Sequence, residues 1–366
     1  MVKVIKIFQT LTAGTAIIVI ICLLSGKPIS QGKLGFSRNN NSKENLPPFI
    51  IIVCHDRGKS LTSSFQRQLN QVTVLLKSAV TFTNETLRFL VVTNSDKIFE
   101  RIKAIPRTWP NKHKSRLQFE SRPVWYPPDR KDSMKGLLRP CSSARLFLPE
   151  TLRDVDAAVL LDTDTIFLRP PEELLREIYR FDESQAAGLA QTSRGYRGLN
   201  IPYPKPRGVN TGVMVMNMTR LRALPGGWTG VTLKAFDENR KDLSKTVTND
   251  IVNIALAQNH QIFYNLNCVW NYNTGCCRGK RNPCTDAEKT GVYLLHGTSG
   301  AFVDDTFLRF RAVYEAWQDY QLGSPLSTLL ADMERRMKVN ASPKTICDRL
   351  TNLEYIFTKS LKTMLQ

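Results

Sequence analysis

The sequence predicts an α/β protein: a Rossmann-like α/β/α sandwich on a mainly parallel central sheet, carried behind an N-terminal membrane anchor. Three observations predict it. Phe49-Ile50-Ile51-Ile52-Val53-Cys54 is an unbroken apolar run that ends on His55-Asp56-Arg57-Gly58, the pattern of a strand buried on both faces that opens onto a polar turn. Leu61, Phe65, Leu69, Val72, Leu76 and Val80 then recur at helical spacing and Leu87 to Val92 read as a strand, so the chain begins strand, helix, strand, as a doubly wound sheet does. Ile7 to Leu24 are eighteen residues without a charge, long enough for a short membrane helix.

The later elements follow the same logic. Ala157 to Leu161, Gly212 to Asn217 and Gly291 to His296 are apolar strand-length runs. Ser142 to Leu152 reads as helix, and Pro170-Pro171 opens another, Glu172 to Tyr179, with acidic residues in its first turn as the helix dipole favours. No Ala-x-Ala site follows the apolar segment, so residues 1–26 are expected to be a cytoplasmic tail and uncleaved anchor. Residues 27–47 are polar and read as a stem, 48–320 as the main α/β body, and 321–366 as a helical extension.

Charge and cysteines place the body. The chain carries 51 basic and 32 acidic side chains, a net +19, with thirteen Lys and Arg between Lys97 and Arg145. Such an excess attracts phosphates, yet no zinc-finger spacing, aromatic RNA-binding motif or basic zipper accompanies it, so nucleic acid is not an expected partner. Seven cysteines follow the anchor; Cys268, Cys276, Cys277 and Cys284 cluster without Cys-x-x-Cys spacing, which reads as a disulfide-tied loop rather than zinc. Cys54, inside an apolar run, is the candidate unpaired thiol. Sequons at Asn40, Asn84, Asn217 and Asn340 agree with a lumenal body.

The chemistry centres on LLDTDTIFLRP, residues 160–170, in which Asp162-Thr163-Asp164 ends a buried strand. Residues i and i+2 of an extended segment share a face, so both carboxylates can address one ion, and hard oxygen ligands suit magnesium or manganese shared with substrate phosphates. His296 ends another apolar strand before Gly297-Thr298-Ser299-Gly300. It can complete an Asp-Asp-His set, and Gly297 and Gly300 would let backbone amides approach a diphosphate. The competing reading is a haloacid-dehalogenase-like phosphatase in which Asp162 is the nucleophile and Asp304-Asp305 later metal ligands.

Five blocks in order, LLDTDTIFLRP, RGVNTGVMVMNMTRLR, NDIVNIAL, CVWNYNTGCCRGKRNPC and YLLHGTSGAFVDD, resemble glycosyltransferase family 8, and within it the glucoside xylosyltransferases, whose pattern RPCSSARLFLPE (139–150) and FRAVYEAW (310–317) also echo. The resemblance implies a type II membrane protein of the endoplasmic reticulum or Golgi with a GT-A fold. It implies UDP-xylose as donor, Mn2+ (or Mg2+) as cofactor, and O-glucosylated EGF-like repeats such as those of Notch as acceptor. By position it makes Asp162, Asp164 and His296 the metal ligands, with Asp162 also near the nucleotide ribose. Arg145 would face the donor diphosphate, Asn210 would line the sugar pocket, and Asn249 and Asp250, at the end of a strand-loop, would reach the transferred sugar. His55 and Asp56 would lie near the uracil. Thr248 stands where the family generally has a carboxylate, which leaves another UDP-sugar, or an inactive sugar-binding homologue, as further readings.

Overall fold

The computed structural model describes residues 46–55, 63–135, 137, 141–192, 200–243, 247–277, 282–339, 347, 350 and 352–366. The apolar segment 7–24, the stem to residue 45, Asp56, and the sequons at Asn40 and Asn340 lie outside them. No described helix is long and apolar enough to cross a membrane.

Seven strands form the main sheet: β1 (Phe49–Ile52), β2 (Leu87–Thr93), β3 (Leu117–Pro123), β4 (Ala157–Leu161), β6 (Ala187–Gln191), β7 (Val209–Asn217) and β8 (Phe263–Leu266). Their order is β3-β2-β1-β4-β7-β6-β8. Only β7 runs against the others, pairing antiparallel with both β4 and β6. A small second sheet has the order β5-β10-β9, from β5 (Thr165–Phe167), β9 (Tyr272–Asn273) and β10 (Leu294–His296). Helices of nine or more residues are α1 (Ser63–Phe82), α2 (Asp96–Ala104), α3 (Gly227–Asn239), α4 (Val247–Gln258), α5 (Leu308–Asp319), α6 (Leu326–Val339) and α7 (Leu353–Leu365).

The strand period of two explains the layers. Phe49, Ile51, Val159 and Val213 point into one core with Val72, Leu75 and Trp317. Ile50, Leu160 and Met214 point into the other with Phe147, Trp228 and Ile254. Both faces are therefore dry, which is why these strands read as continuous apolar runs rather than alternating ones.

The C-terminal helices belong to the same body: residues 45–366 form one compact unit. The segment that leads into β10 rests on α7, where Val292 donates its N–H to Ile356 O (3.1 Å) and Ser360 Oγ donates to Val292 O (2.9 Å). Lys77 of α1 ties in α5. Its buried ammonium donates to the carbonyl oxygens of Trp317 (3.1 Å), Gln318 (2.8 Å) and Tyr320 (2.8 Å), groups that the end of a helix leaves without intrahelical partners.

Three disulfides close the body: Cys54–Cys141, Cys268–Cys284 and Cys277–Cys347. The expectation that Cys54 is the unpaired thiol is corrected. Strand β1 ends at Ile52, so Cys54 has left the apolar ladder and meets Cys141 beside it; the free, buried thiol is Cys276. Burial pushes that thiol up to about 11, so it is inert as a nucleophile. Asn217 is also not a glycan acceptor in the folded chain, because it is buried and its side-chain oxygen caps a helix by accepting the Arg220 N–H (2.9 Å). Asn84 is exposed.

Lys77→Met keeps the aliphatic stem and removes the donor. It should lower stability by about 2–3 kcal/mol, the typical cost of losing hydrogen bonds from a charged group, measured by urea denaturation of residues 48–366.

Candidate active site

The site forms where the two sheets meet. Asp162 is still in the main sheet's ladder, donating its N–H to Gly212 O on β7 (2.7 Å). Its carbonyl accepts the Thr165 hydroxyl (2.9 Å), which closes the Asp162-Thr163-Asp164 turn and starts β5. Strand β5 pairs antiparallel with β10, setting Thr165 opposite His296, and Asp164 O accepts the Gly297 N–H (2.8 Å). The turn therefore delivers one carboxylate from each side of the junction to the imidazole. His296 Nε2 stands 3.5 Å from Asp162 Oδ2 and 3.4 Å from Asp164 Oδ1. One donor atom from each of the three residues lies within 4.8 Å of the others.

Gly212 makes room for this. A Cβ on residue 212 would fall 1.9 Å from His296 Cε1, so the ring occupies the space that any side chain there would need. Strand β7 is held at this point by α4. Asn253 donates to Val209 O (3.0 Å) and accepts its N–H (2.7 Å), while Asn249 Oδ1 accepts the Thr211 N–H (3.0 Å). The Asn249/Asn253 pair, four residues apart on one helix face, thus satisfies the part of β7 that extends beyond β4.

Arg145 enters from a 3₁₀ turn, Ser142–Phe147, which the Cys54–Cys141 bridge ties to the end of β1. Its Nη2 is 2.8 Å from Asp162 Oδ1, and its Nη1 donates to Thr211 Oγ1 (3.2 Å). Burial opposes charge on Asp162, but Arg145 and His296 overcome it and hold the carboxyl well below the usual carboxylate range. Burial alone would push the His296 imidazole down; Asp164, with Asp162, instead raises it to about 9. Two ionised carboxylates and an imidazole, whose neutral form offers one nitrogen lone pair, are a donor set that fits Mn2+ or Mg2+.

The other expected residues distribute unevenly. Asn210 is beside the ring, its Oδ1 accepting the Gly212 N–H (3.0 Å) and the Asn271 amide (3.0 Å). Asn249 and Asp250 lie in the first turn of α4, not at the end of a strand-loop, and Asp250 is fully buried. His55 stands at the end of β1, its main chain exchanging hydrogen bonds with Asn94 (3.3 and 2.8 Å) and its ring edge-on to Phe65. Gly297 does not present a free amide, since its N–H is donated to Asp164 O; its lack of a side chain is required by Phe302, 2.5 Å from a Cβ placed there. Gly300 has φ +75° and follows Ser299 at φ 60° in a tight left-handed turn. Asp304 caps its own turn through Thr306 N–H (2.8 Å) and Asp305 pairs with Arg311, so the acidic pair that a phosphatase would need is spent elsewhere.

Sequence reasoning missed Gly212 and Asn271. Asn271 is buried and its Oδ1 is 2.8 Å from His296 Nδ1. Both sit inside blocks that carried the resemblance, yet their roles depend on contacts across 84 and 25 positions of chain, which no local pattern reveals.

Open parallel sheets bind ligands at the carboxyl ends of their strands, where this cluster stands. The fold and its site define a glycosyltransferase of the GT-A type. The family model for glycosyl transferase family 8 matches residues 61–296, and the chain belongs to that family. It is 33% identical to glucoside xylosyltransferase 1 of Gallus gallus over 310 residues, 81% of this chain and 70% of that protein. It is 31% identical to glucoside xylosyltransferase 2 of Mus musculus over 344 residues, 88% of this chain and 73% of that one. Its fold matches the galactosyltransferase LgtC, solved with donor and acceptor sugar analogues, at a TM-score of 0.54 and 14% identity, covering 76% of this chain and 97% of that one.

Two outcomes are expected. A histidine whose folded pKa is raised stabilises the fold fully below its unfolded value of about 6.5 and loses that contribution as pH rises through the folded one. In EDTA, the Tm advantage of the unsubstituted protein over His296→Gln should therefore shrink between pH 6.5 and the raised value of about 9. Gly212→Ala should displace the His296 ring and weaken Mn2+ binding at least tenfold, by titration followed with electron paramagnetic resonance, while the circular dichroism of the sheet is kept.

Proposed function

We propose that this chain is a retaining xylosyltransferase that moves xylose from UDP-xylose, in α-1,3 linkage, onto glucose O-linked to EGF-like repeats such as those of Notch. The observation that carries the reading is the meeting of Asp162, Asp164 and His296 around one point, with the Arg145 guanidinium 2.8 Å from Asp162. The names of the 31–33% identical relatives supply the sugar and the acceptor class.

A divalent cation held by the three ligands would supply positive charge to the departing diphosphate. Arg145 adds a fixed guanidinium on the same side and orients Asp162, whose depressed pKa keeps it ionised throughout the working range. Asn210 and the first turn of α4 wall the neighbouring space with amides suited to sugar hydroxyls. The anomeric carbon–phosphate oxygen bond breaks as the acceptor hydroxyl attacks the same face, and the hydroxyl proton leaves on the diphosphate. Three disulfides among the described residues suit an oxidising lumen, and this supports reading residues 7–24 as a single-pass, type II anchor in the endoplasmic reticulum or Golgi membrane.

The test is UDP release by the lumenal part, residues 48–366, from a panel of UDP-sugars with Mn2+, with and without an O-glucosylated EGF-like repeat. Acceptor-dependent turnover of UDP-xylose is expected; turnover of another donor alone would move the substrate and keep the class. Binding without turnover of any donor would make the chain an inactive homologue. Asp164→Asn should abolish both turnover and the rise in Tm that UDP with Mn2+ gives; a variant that still gained that rise would overturn the metal assignment.

A further inference from the structure

We infer that Asn271 is a positioning residue that locks the His296 imidazole in the one tautomer able to bind a cation. The inference rests on the metal reading above and names what prepares that site.

The lock follows from groups whose hydrogen-bond sense admits no choice. The main-chain N–H of Gly212 can only donate, so the Asn210 side-chain atom 3.0 Å from it is the carbonyl oxygen. The main-chain oxygen of Asn210 can only accept. Asn271 turns one end of its carboxamide to both of these oxygens, at 3.3 Å from Asn210 O and 3.0 Å from Asn210 Oδ1, so that end must be the amino group. Its opposite end, facing His296 Nδ1 at 2.8 Å, is then an oxygen with lone pairs and no hydrogen. An oxygen at that distance requires a proton on Nδ1. In the neutral ring the proton on Nδ1 leaves the lone pair on Nε2, the nitrogen 3.4 Å from Asp164 and 3.5 Å from Asp162.

Three features make this a lock and not a passing contact. Asn271 and His296 are each only 2% exposed, so water does not compete for either end. Asn271 O accepts the Asn273 amide (3.0 Å) just before β9, whose parallel pairing sets Asn273 opposite His296 and fixes the register between the two residues. The Cε1 edge of the imidazole fills the space that a side chain on residue 212 would need, which seats the ring against β7. If the amide oxygen were absent, the ring could place its proton on Nε2, between the two carboxylates, where it would block the donor position. An outer hydrogen-bond partner of a ligating histidine typically contributes ten- to a hundredfold in metal affinity.

The experiment compares the unsubstituted lumenal part with Asn271→Leu, which keeps the volume and removes the acceptor, and Asn271→Asp, which keeps an acceptor toward Nδ1. Mn2+ affinity is read by electron paramagnetic resonance, and ring ¹⁵N resonances are read on the Mg2+-loaded protein, whose four histidines permit assignment. The expected result is at least a tenfold loss of Mn2+ affinity in Asn271→Leu, with loss of the protonated Nδ1 signal, and affinity within threefold of the unsubstituted protein in Asn271→Asp. Equal Mn2+ affinity in Asn271→Leu and the unsubstituted protein would overturn the lock while leaving the metal reading intact. No saturable Mn2+ binding by the unsubstituted protein would overturn both. Should Asn271→Leu fail to fold, Asn271→Ser, whose hydroxyl is too short to reach Nδ1, takes its place with the same expected loss.

Discussion

The structure turns on the seating of one imidazole in the space left by a missing side chain. His296 belongs to the small sheet and Gly212 to the large one, and the ring reaches the cluster only because residue 212 has no Cβ. Each neighbouring element serves that contact. Strand β4 brings Asp162 to the same glycine through its carbonyl, β5 carries Asp164 across to β10, and α4 holds the free end of β7 with two asparagines. Electrostatics then sharpen what packing has arranged. The Arg145 guanidinium and the His296 ring both favour ionised Asp162, and the two carboxylates favour a positive charge at Nε2, so the cluster is organised around a cation.

Much of the frame was legible from local pattern. Strands β1, β2, β4 and β7 are buried on both faces and announce themselves as apolar runs. The Asp-Thr-Asp segment was legible because it follows such a run, although its carboxylates converge through a turn and not through the alternation of an extended strand, and His296 because it closes such a run. Strands β5 and β9, of three and two residues, were not, since nothing so short carries a period. Helix α4 was not read at all, and Asn249 and Asp250 were expected at the end of a strand-loop, because Thr248-Asn249-Asp250 are polar and the apolar pattern begins only at Ile251. Asn271 and Gly212 act through residues far along the chain, so their roles belong to the fold and not to any window of sequence.

Cys54 shows a different limit. A thiol beside an apolar strand reads as packed and inert, yet the ladder stops two residues earlier and the side chain is free to cross to Cys141. That bridge has a use at the site, because it sits four residues before Arg145 and anchors the turn that presents the guanidinium. Cys276, flanked by paired cysteines in the loop, is the residue that stays reduced and buried.

The bracing by α7 of the segment that enters β10 bears on biosynthesis. Val292 and Ser360, joined by a hydrogen bond of 2.9 Å, are separated by 68 positions of chain, and the Cys277–Cys347 bridge closes an overlapping span of 70. A ribosome can release the main sheet complete through β8 while the histidine strand still lacks its support. A chain cut short before residue 353 keeps the β5 and β9 pairing of His296 and its Asn271 contact, but lacks the brace under Val292 where the chain enters the histidine strand.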